Sequence, residues 1–321
     1  MNVCEEDCGV NLNRQRVLVT GASGFLGQNL CRRLLAMGAE VHGTSRRHRS
    51  SHGIVWHQTE WSDATQARQT IAAVRPDVVV NLAGHVSASP DFSLITPTFD
   101  SHLSATVNLL AVSTKCDVRR VIIVGSTEEP LTLSQPPASP YGAAKAAGSI
   151  YCKMFHDLYR TPVVLIRPSM TFGPHQSVDK ILPYVIRCAI EGRSPHLSSG
   201  ARRADWIYVD DVIDGFVAAA TTPGVECQTF ELGSGLLRTT RSLVEDLLLQ
   251  LGCSVTPVFG AIPDRPGEAP RAAMTDAAAQ RLGWSVKTPM AEALRRTAAW
   301  YIEHFETDAG KQMKILEQFC L

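Results

Sequence analysis

Over the first half of the chain, short runs of β-branched and wholly apolar residues alternate with segments whose apolar positions recur every three or four residues. Arg16–Thr20 is the first such run. From Gly24 to Met37, Phe25, Leu26, Leu30, Leu34 and Leu35 share one helical face. The same reading predicts strands at Glu40–Thr44, Ile54–His57, Asp77–Asn81, Arg120–Gly125 and Pro162–Ile166. Between them it predicts helices over Thr65–Val74, Thr98–Thr114 and Tyr141–Tyr159. Runs that are apolar throughout, rather than alternating, belong to strands covered on both faces. The expected class is therefore α/β, a doubly wound parallel sheet with helices on each side.

After Arg167 the pattern loosens. Pro168, Gly173, Pro174, Pro183, Gly192 and Pro195 punctuate it. A strand at Thr229–Leu232, a helix over Ser242–Leu251, an ordered loop from Gly260 to Arg271 and an amphipathic helix over Met290–Phe305 are predicted there. There is no internal repeat and no low-complexity linker.

Composition narrows the function classes. Lys plus Arg and Asp plus Glu both number 31, so the net charge is zero. A nucleic-acid binder carries a basic excess, and none is expected as a partner here. No apolar run approaches the roughly 20 residues that span a bilayer, and Glu5, Glu6 and Asp7 break up the first residues, so neither membrane insertion nor a secretory signal is expected. Nine cysteines without a regular framework read as reduced thiols of a cytoplasmic protein. Cys4 and Cys8 have no second pair at ligand spacing, so no metal is expected.

The first candidate chemistry lies between the first strand and the first helix. Gly21, Gly24 and Gly27 fall within Thr20-Gly21-Ala22-Ser23-Gly24-Phe25-Leu26-Gly27. In such a turn one glycine allows the tight bend, one lets backbone approach a pyrophosphate, and one lets helix and strand pack closely. The pyrophosphate then rests on the unpaired N–H groups of the helix N-terminus. The segment predicts a dinucleotide-binding, Rossmann-type domain over residues 14–168. A short extension, 1–13, precedes it. Residues 169–321 form mainly a substrate-binding lobe, with some segments returning to the first domain and a cleft between the two as the default site. At the end of the second strand an acid would bond the ribose of NAD. Ser45 stands there, followed by Arg46 and Arg47, whose guanidinium forks suit a 2′-phosphate. NADP(H) is favoured over NAD(H).

The second is a Tyr-Lys pair. Tyr141 and Lys145 are four residues apart and share a helix face. A free Tyr titrates near roughly 10. An adjacent ammonium favours the phenolate, so Lys145 together with the positive nicotinamide of the cofactor is expected to bring Tyr141 toward neutral and let it exchange a proton with a substrate oxygen. Ser126, Thr127, Glu128 and Glu129 follow a strand end, where side chains meet the ligand crevice of a parallel sheet. Thr127 is expected to bond the same substrate oxygen.

Taken together, the glycine segment, Asn81-Leu82-Ala83-Gly84, Ser126-Thr127, Tyr141-x-x-x-Lys145, Arg167-Pro168, Gly173-Pro174, Asp205 to Asp211, Arg265-Pro266-Gly267-Glu268 and Leu282-Gly283-Trp284 resemble the extended short-chain dehydrogenase/reductase family, of the NAD-dependent epimerase/dehydratase type. The likeness runs in order along nearly the whole chain. It implies a nucleoside-diphosphate sugar as substrate, hydride transfer at C4, and a homodimer built on the helices at 98–114 and 141–159. The branch most similar in look reduces GDP-linked 4-keto-6-deoxy-mannose, and Ser126 to Glu129 also resembles the signature of 4,6-dehydratases, in which an acidic pair such as Glu128 and Glu129 moves protons on the sugar. By the same resemblance Glu60-Trp61-Ser62-Asp63 contacts adenine, Leu82, Ala83, Gly84 and Pro168 line the cofactor, and Ser87, Thr127, Met170, Arg203 and Arg265 meet substrate. Met170, Ala204 and the short interval from Thr127 to Tyr141 depart from the sugar-nucleotide pattern. They leave open a reductase of a small ketone without a nucleotide; a non-catalytic NADP(H) sensor is the remote alternative, since sensors of this fold typically lack the Tyr-Lys pair that this chain retains.

Overall fold

The structure, a computed structural model, describes residues 11–132, 134–264 and 270–309. These fall into two compact units. One runs to Arg167 and regains Ile213–Glu231 and Asp276–Trp284. The other holds Pro168–Val212, Leu232–Thr275 and the chain from Ser285.

The first unit is built on strands β1 (Arg16–Thr20), β2 (Glu40–Ser45), β3 (Ile54–Gln58), β4 (Val78–Asn81), β5 (Arg120–Val124) and β6 (Val163–Pro168), with β10 (Thr229–Leu232) completing the sheet. Their order across the sheet is β10-β6-β5-β4-β1-β2-β3. The pairs β1–β2, β1–β4, β2–β3, β4–β5 and β5–β6 are all parallel. The expected doubly wound α/β sheet is present. Beginning at β1, the chain winds outward to β3 and then returns to cross over to β4, so the order reverses between β1 and β4. In sheets of this kind ligands bind at that reversal, beyond the carboxyl ends of the strands.

Helices α1 (Phe25–Ala36), α2 (Ala64–Val74), α4 (Ala105–Ser113) and α5 (Pro140–Tyr159) connect the strands. Leu18, Val79, Val121 and Leu165 of the sheet pack with Ile71 of α2, Leu109 of α4 and Phe155 of α5 in one buried cluster. Each such side chain taken from water contributes roughly 1.5–3 kcal/mol. The helix expected over 98–114 is interrupted. A short helix α3 (Ile95–Thr98) runs into a π-helical turn, Phe99–Ser104, before α4 begins. Pattern reading sees only a continuous run of helical spacing there, because a π turn shifts the register without breaking the run.

The second unit carries β7 (Met170–Phe172), β9 (Arg203–Tyr208) and β11 (Leu237–Thr239) as one small sheet and β8 (His196–Leu197) with β12 (Val258–Phe259) as another. Helices α6 (Ile181–Ile190), α8 (Thr240–Leu251) and α10 (Met290–Ala309) belong to it, α9 (Asp276–Leu282) belongs to the first unit, and α7 (Val209–Thr221) begins in the second and ends in the first. Pro183 had marked a break in the sequence reading, yet it lies within α6. It occupies the first turn, where the missing N–H would have no helical partner anyway. Asp205 is 2% exposed and organises this unit. Its carboxylate accepts from the Ser234 N–H and hydroxyl, the Gly235 N–H and the Ala273 N–H. No helix among the described residues is long and apolar enough to cross a membrane.

Candidate functional site

The turn after β1 is shaped by steric necessity. Gly21 has φ +63°, and a Cβ on it would stand 2.8 Å from the Leu82 carbonyl oxygen and 2.9 Å from the Ala83 backbone. A Cβ at Gly27 would come within 2.3 Å of the Gly21 carbonyl oxygen. These two positions therefore fasten the turn to the segment after β4 and to the start of α1. Thr20 completes the fastening. Its hydroxyl donates to Asn81 Oδ1 at 2.7 Å and accepts from the N–H groups of Leu82 and Ala83 at 3.0 and 2.9 Å. Gly24 is the N-cap of α1, is exposed, and has no side chain to cap the helix. The N–H groups of the first turn, including those of Phe25, Leu26 and Gly27, thus have no side-chain acceptor. They face the partly exposed Ser23–Gly24 bend. An uncapped helix N-terminus with no bulk in front of it fits a diphosphate.

Beyond β2, Ser45 is partly buried and its hydroxyl accepts from the Arg47 N–H at 3.3 Å. Arg46 and Arg47 are both exposed. Trp61 was expected to meet adenine. Its side chain is 3% exposed, lies in the core cluster and donates its indole N–H to Thr44 at 2.9 Å. The ring is thus packed into the core and not presented at the surface. Its partly exposed neighbour Glu60 is on the surface side.

The sequence from Ser139 starts α5 because Ser139 caps it, accepting from the Gly142 N–H at 3.1 Å, and Pro140 pre-sets the first helical φ. Tyr141 and Lys145 then lie on one face, with Lys145 Nζ 5.8 Å from the centre of the Tyr141 ring. Lys145 donates to the Val124 carbonyl, at the end of β5, at 2.6 Å. Burial pulls the Lys145 ammonium down to about 8, with Glu129 opposing the fall.

The phenol of Tyr141 is only 7% exposed. Burial pushes it up to about 12, a hydrogen bond with the Ser126 hydroxyl pulls it down, and the carboxylates of Glu128 and Glu129 add to the rise. Among the groups of the chain itself, burial of the phenolate is the largest influence on Tyr141 and sets the direction.

Glu129 is also placed differently from expectation. It is 3% exposed. One oxygen accepts from the Ser126 N–H at 2.8 Å. The other accepts from the Ser149 hydroxyl at 2.7 Å and pairs with Arg167 at 2.6 Å. Both oxygens are committed to holding β5, α5 and β6 together, so the expected role in moving substrate protons is corrected to a structural one. Thr127 and Glu128 are partly exposed beside it.

Two residues have contacts at Tyr141 that the sequence does not assign them. Ser126, one position before Thr127, bonds the phenol. His102 packs edge-on against the Tyr141 ring, with centroids 5.1 Å apart. A signal for His102 was available: it stands four and seven residues before Thr106 and Leu109, a polar group on a core-facing stripe. Ser87, in the loop after β4, is partly exposed and accepts from the Ser89 N–H at 3.4 Å. Pro168 ends β6, Met170 opens β7 opposite Trp206, and the exposed Arg203 opens β9, all three in the second unit. Arg265 lies outside the described residues.

Residues 17–233 match the family described as NAD dependent epimerase/dehydratase. The UDP-glucose 4-epimerase of Mycolicibacterium smegmatis is 30% identical over 315 residues, spanning 89% of this chain and 98% of that protein. The dTDP-glucose 4,6-dehydratase of Streptomyces griseus is 29% identical over 318 residues, spanning 90% and 94%. Among solved structures, the UDP-glucose 4-epimerase of Thermotoga maritima, determined with UDP-glucose, superimposes with a TM-score of 0.82 at 22% identity, covering 91% of this chain and all of that one.

Proposed function

Since the chain belongs to the NAD dependent epimerase/dehydratase family, an extended short-chain dehydrogenase/reductase class of nicotinamide-dependent enzymes, we propose that it inverts or reduces C4 of a nucleoside-diphosphate sugar by hydride exchange, without loss of water. The observation that carries this reading is the contrast between the two acid–base candidates. Tyr141, Lys145 and Ser126 are gathered at one point, whereas Glu129 is spent on Ser126, Ser149 and Arg167. By the resemblance, dehydration uses an acidic pair to move protons on the sugar, and of Glu128 and Glu129 only Glu128 is left partly exposed. Exchange at C4 needs only a group that takes and returns the hydroxyl proton.

The turn at Gly21–Gly27, the segment Leu82–Gly84 and Lys145 are the residues that would hold the dinucleotide, which when bound accepts and returns the hydride and adds positive charge beside the phenol. At neutral pH Tyr141 carries its proton and is ready to donate it to a C4 carbonyl oxygen. In the opposite direction it must take the hydroxyl proton, and the nearby cations lower the cost of the phenolate. Ser126 and Thr127 orient the sugar oxygen. Glu128 and the substrate contacts Met170, Arg203 and Arg265 belong to the same proposal through the resemblance.

A second reading is favoured by one observation. Arg46 and Arg47 stand exposed directly after β2, where two guanidinium groups suit a 2′-phosphate. NADP(H) would then serve a net reduction of a 4-keto-6-deoxy sugar nucleotide. One experiment separates the two. With NAD and UDP-glucose, the epimerase reading predicts a C4-inverted product by NMR and no net change in absorbance at 340 nm. The reductase reading predicts NADPH consumption on a 4-keto sugar nucleotide, lost in Arg46→Ala/Arg47→Ala. Turnover of neither substrate class, with a small ketone reduced instead, would overturn the nucleotide-sugar assignment.

The reading extends to assembly. Ile95, Phe99 and Leu103 form an apolar groove with Pro137, Ala143 and Ala147, while Phe92, in the 3-10 turn just before α3, is 86% exposed and Ile150 of α5 is 54% exposed. An apolar face of this kind marks an interaction surface, and a second copy of the chain is the proposed occupant. Light scattering at micromolar concentration is expected to give twice the chain mass, and Phe99→Asp to return it to a monomer. A monomeric wild type would refute the dimer.

A further inference from the structure

Away from the dinucleotide turn and the Tyr141–Lys145 pair, three chemically unlike side chains converge at the far end of α5. A ring nitrogen of His156, a carboxylate oxygen of Asp157 and the sulfur of Cys227 all lie within 4.8 Å of one another. His156 and Asp157 belong to the last turn of α5. Cys227 comes from the link between α7 and β10, so no short spacing in the sequence announces the group. It donates its N–H to the Val163 carbonyl at 2.7 Å, and Leu165 donates to the Gln228 carbonyl at 3.0 Å. Cys227 therefore stands at the entry to β10, beside the entry to β6. That is the end of the sheet opposite the carboxyl edge, where the ligand crevice lies. About 22 Å of helix separates it from Tyr141.

Two of the three groups are prepared as ligands. His156 Nδ1 is 3.0 Å from the Thr161 carbonyl oxygen. A carbonyl can only accept, so Nδ1 carries the proton and Nε2 of the neutral ring keeps its lone pair. A metal-ligating histidine is oriented in this way, by giving its other N–H to a backbone carbonyl. That carbonyl is itself fixed. Thr161 is buried, its N–H donates to the Phe155 carbonyl at 3.3 Å, and its hydroxyl bonds that of Thr114 at 2.7 Å. Cys227 has φ +63°, a left-handed conformation in which glycine is at ease and cysteine is not. A cysteine kept there points to a use for its sulfur. The Asp157 side chain is exposed, and the group lies at a helix C-terminus, where unpaired carbonyls favour a cation. Lys153 opposes them, acting on the thiol from one turn back along α5, but it too is exposed and its long stem is free to turn toward solvent.

We propose that His156, Asp157 and Cys227 form a binding site for a zinc-like divalent cation that clamps the end of α5 to the entry of β10. A thiolate and a carboxylate together neutralise a divalent ion. A set of one nitrogen, one sulfur and one oxygen suits zinc, whereas calcium and magnesium take oxygen alone. Water completes the tetrahedron, as in zinc sites with three protein ligands. Ligand bonds to zinc run about 2.0–2.3 Å, so small rotations of the three side chains close them on the ion. When the zinc–sulfur bond forms, the thiol proton passes to solvent. The site stands apart from the reaction proposed above and does not rest on it.

The test uses the full chain, stripped of metal and kept reduced by a phosphine, in a Cys4→Ser/Cys8→Ser background so that this pair supplies no sulfur. Zinc is titrated against a chromogenic chelator, and cobalt(II) is followed by absorption. The expected result is one ion per chain, a thiolate-to-cobalt charge-transfer band in the near ultraviolet, d–d bands of tetrahedral strength, and a melting temperature that rises with added zinc. His156→Gln is expected to weaken zinc binding by about 10²-fold or more, since loss of even an outer partner costs about 10- to 10²-fold. Lys153→Met, which removes the opposing charge, is expected to tighten it. Cys227→Gly guards against a folding artefact. It relieves the left-handed backbone, so the metal-free protein is expected to melt no lower than the background, while the charge-transfer band and the zinc-dependent rise both disappear. Cys253→Ser, which alters a partly exposed cysteine of the second unit, is expected to change neither. A charge-transfer band that survives in Cys227→Gly, or zinc bound no more tightly by the background than by that variant, overturns the proposal.

Discussion

Tyr141→Phe is expected to lower turnover by about 10²- to 10⁴-fold, the range lost with a positioned acid–base group, while the chain stays folded and binds its dinucleotide. The substitution removes one oxygen. The ring remains seated against His102, and the broken hydrogen bond is the one to Ser126, whose loss costs about 1–3 kcal/mol if that hydroxyl stays unmet. Steady-state turnover, a urea melt and a dinucleotide titration on the same preparation separate the chemical loss from the structural one. The pH profile gives the sign. Lys145 holds its proton below about 8, so the cation beside the phenol is present at neutral pH and disappears as pH rises through that value. Turnover is expected to fall on that limb, and the residual activity of Lys145→Met is expected to lack it. Full turnover in Tyr141→Phe would remove the phenol from the reaction.

The second large effect is on stability. Glu129→Ala is expected to destabilise the first unit by about 3–5 kcal/mol, the cost of breaking a buried pair and leaving its partner behind. Glu129 is enclosed, Arg167 reaches it from β6, and the Ser126 N–H and Ser149 hydroxyl fill its remaining acceptor sites. A double cycle with Arg167→Ala in urea is expected to show coupling of about 1–3 kcal/mol. Because Glu129 also holds the Ser126 backbone, activity is expected to fall by more than the folded fraction, as the geometry around Tyr141 is lost. The informative alternative is a Glu129→Gln protein that melts like the wild type yet loses all turnover. That outcome would restore Glu129 as a proton-moving group and favour a dehydratase.

The alternation of apolar runs with helical spacing specified the parallel sheet, and the glycines at 21, 24 and 27 specified the turn after β1, because both depend on local sterics and on burial that neighbouring residues share. Tyr141 and Lys145 were legible for the same reason: four residues apart on a helix, they meet wherever that helix packs. What those groups do to one another was not legible. Burial from distant segments is the largest influence on the phenol and raises it. Glu129 and Trp61 had site-like sequence contexts, yet both face inward, one onto Arg167 across 38 residues and the other onto Thr44 across 17. His102 lies in the π turn and packs edge-on against Tyr141, a contact between segments far apart in the chain. Strand, helix and turn identity follow from short-range spacing. Charge state, the direction a side chain faces and the contacts of buried polar groups depend on which distant segments close over them, and only the tertiary structure decides that.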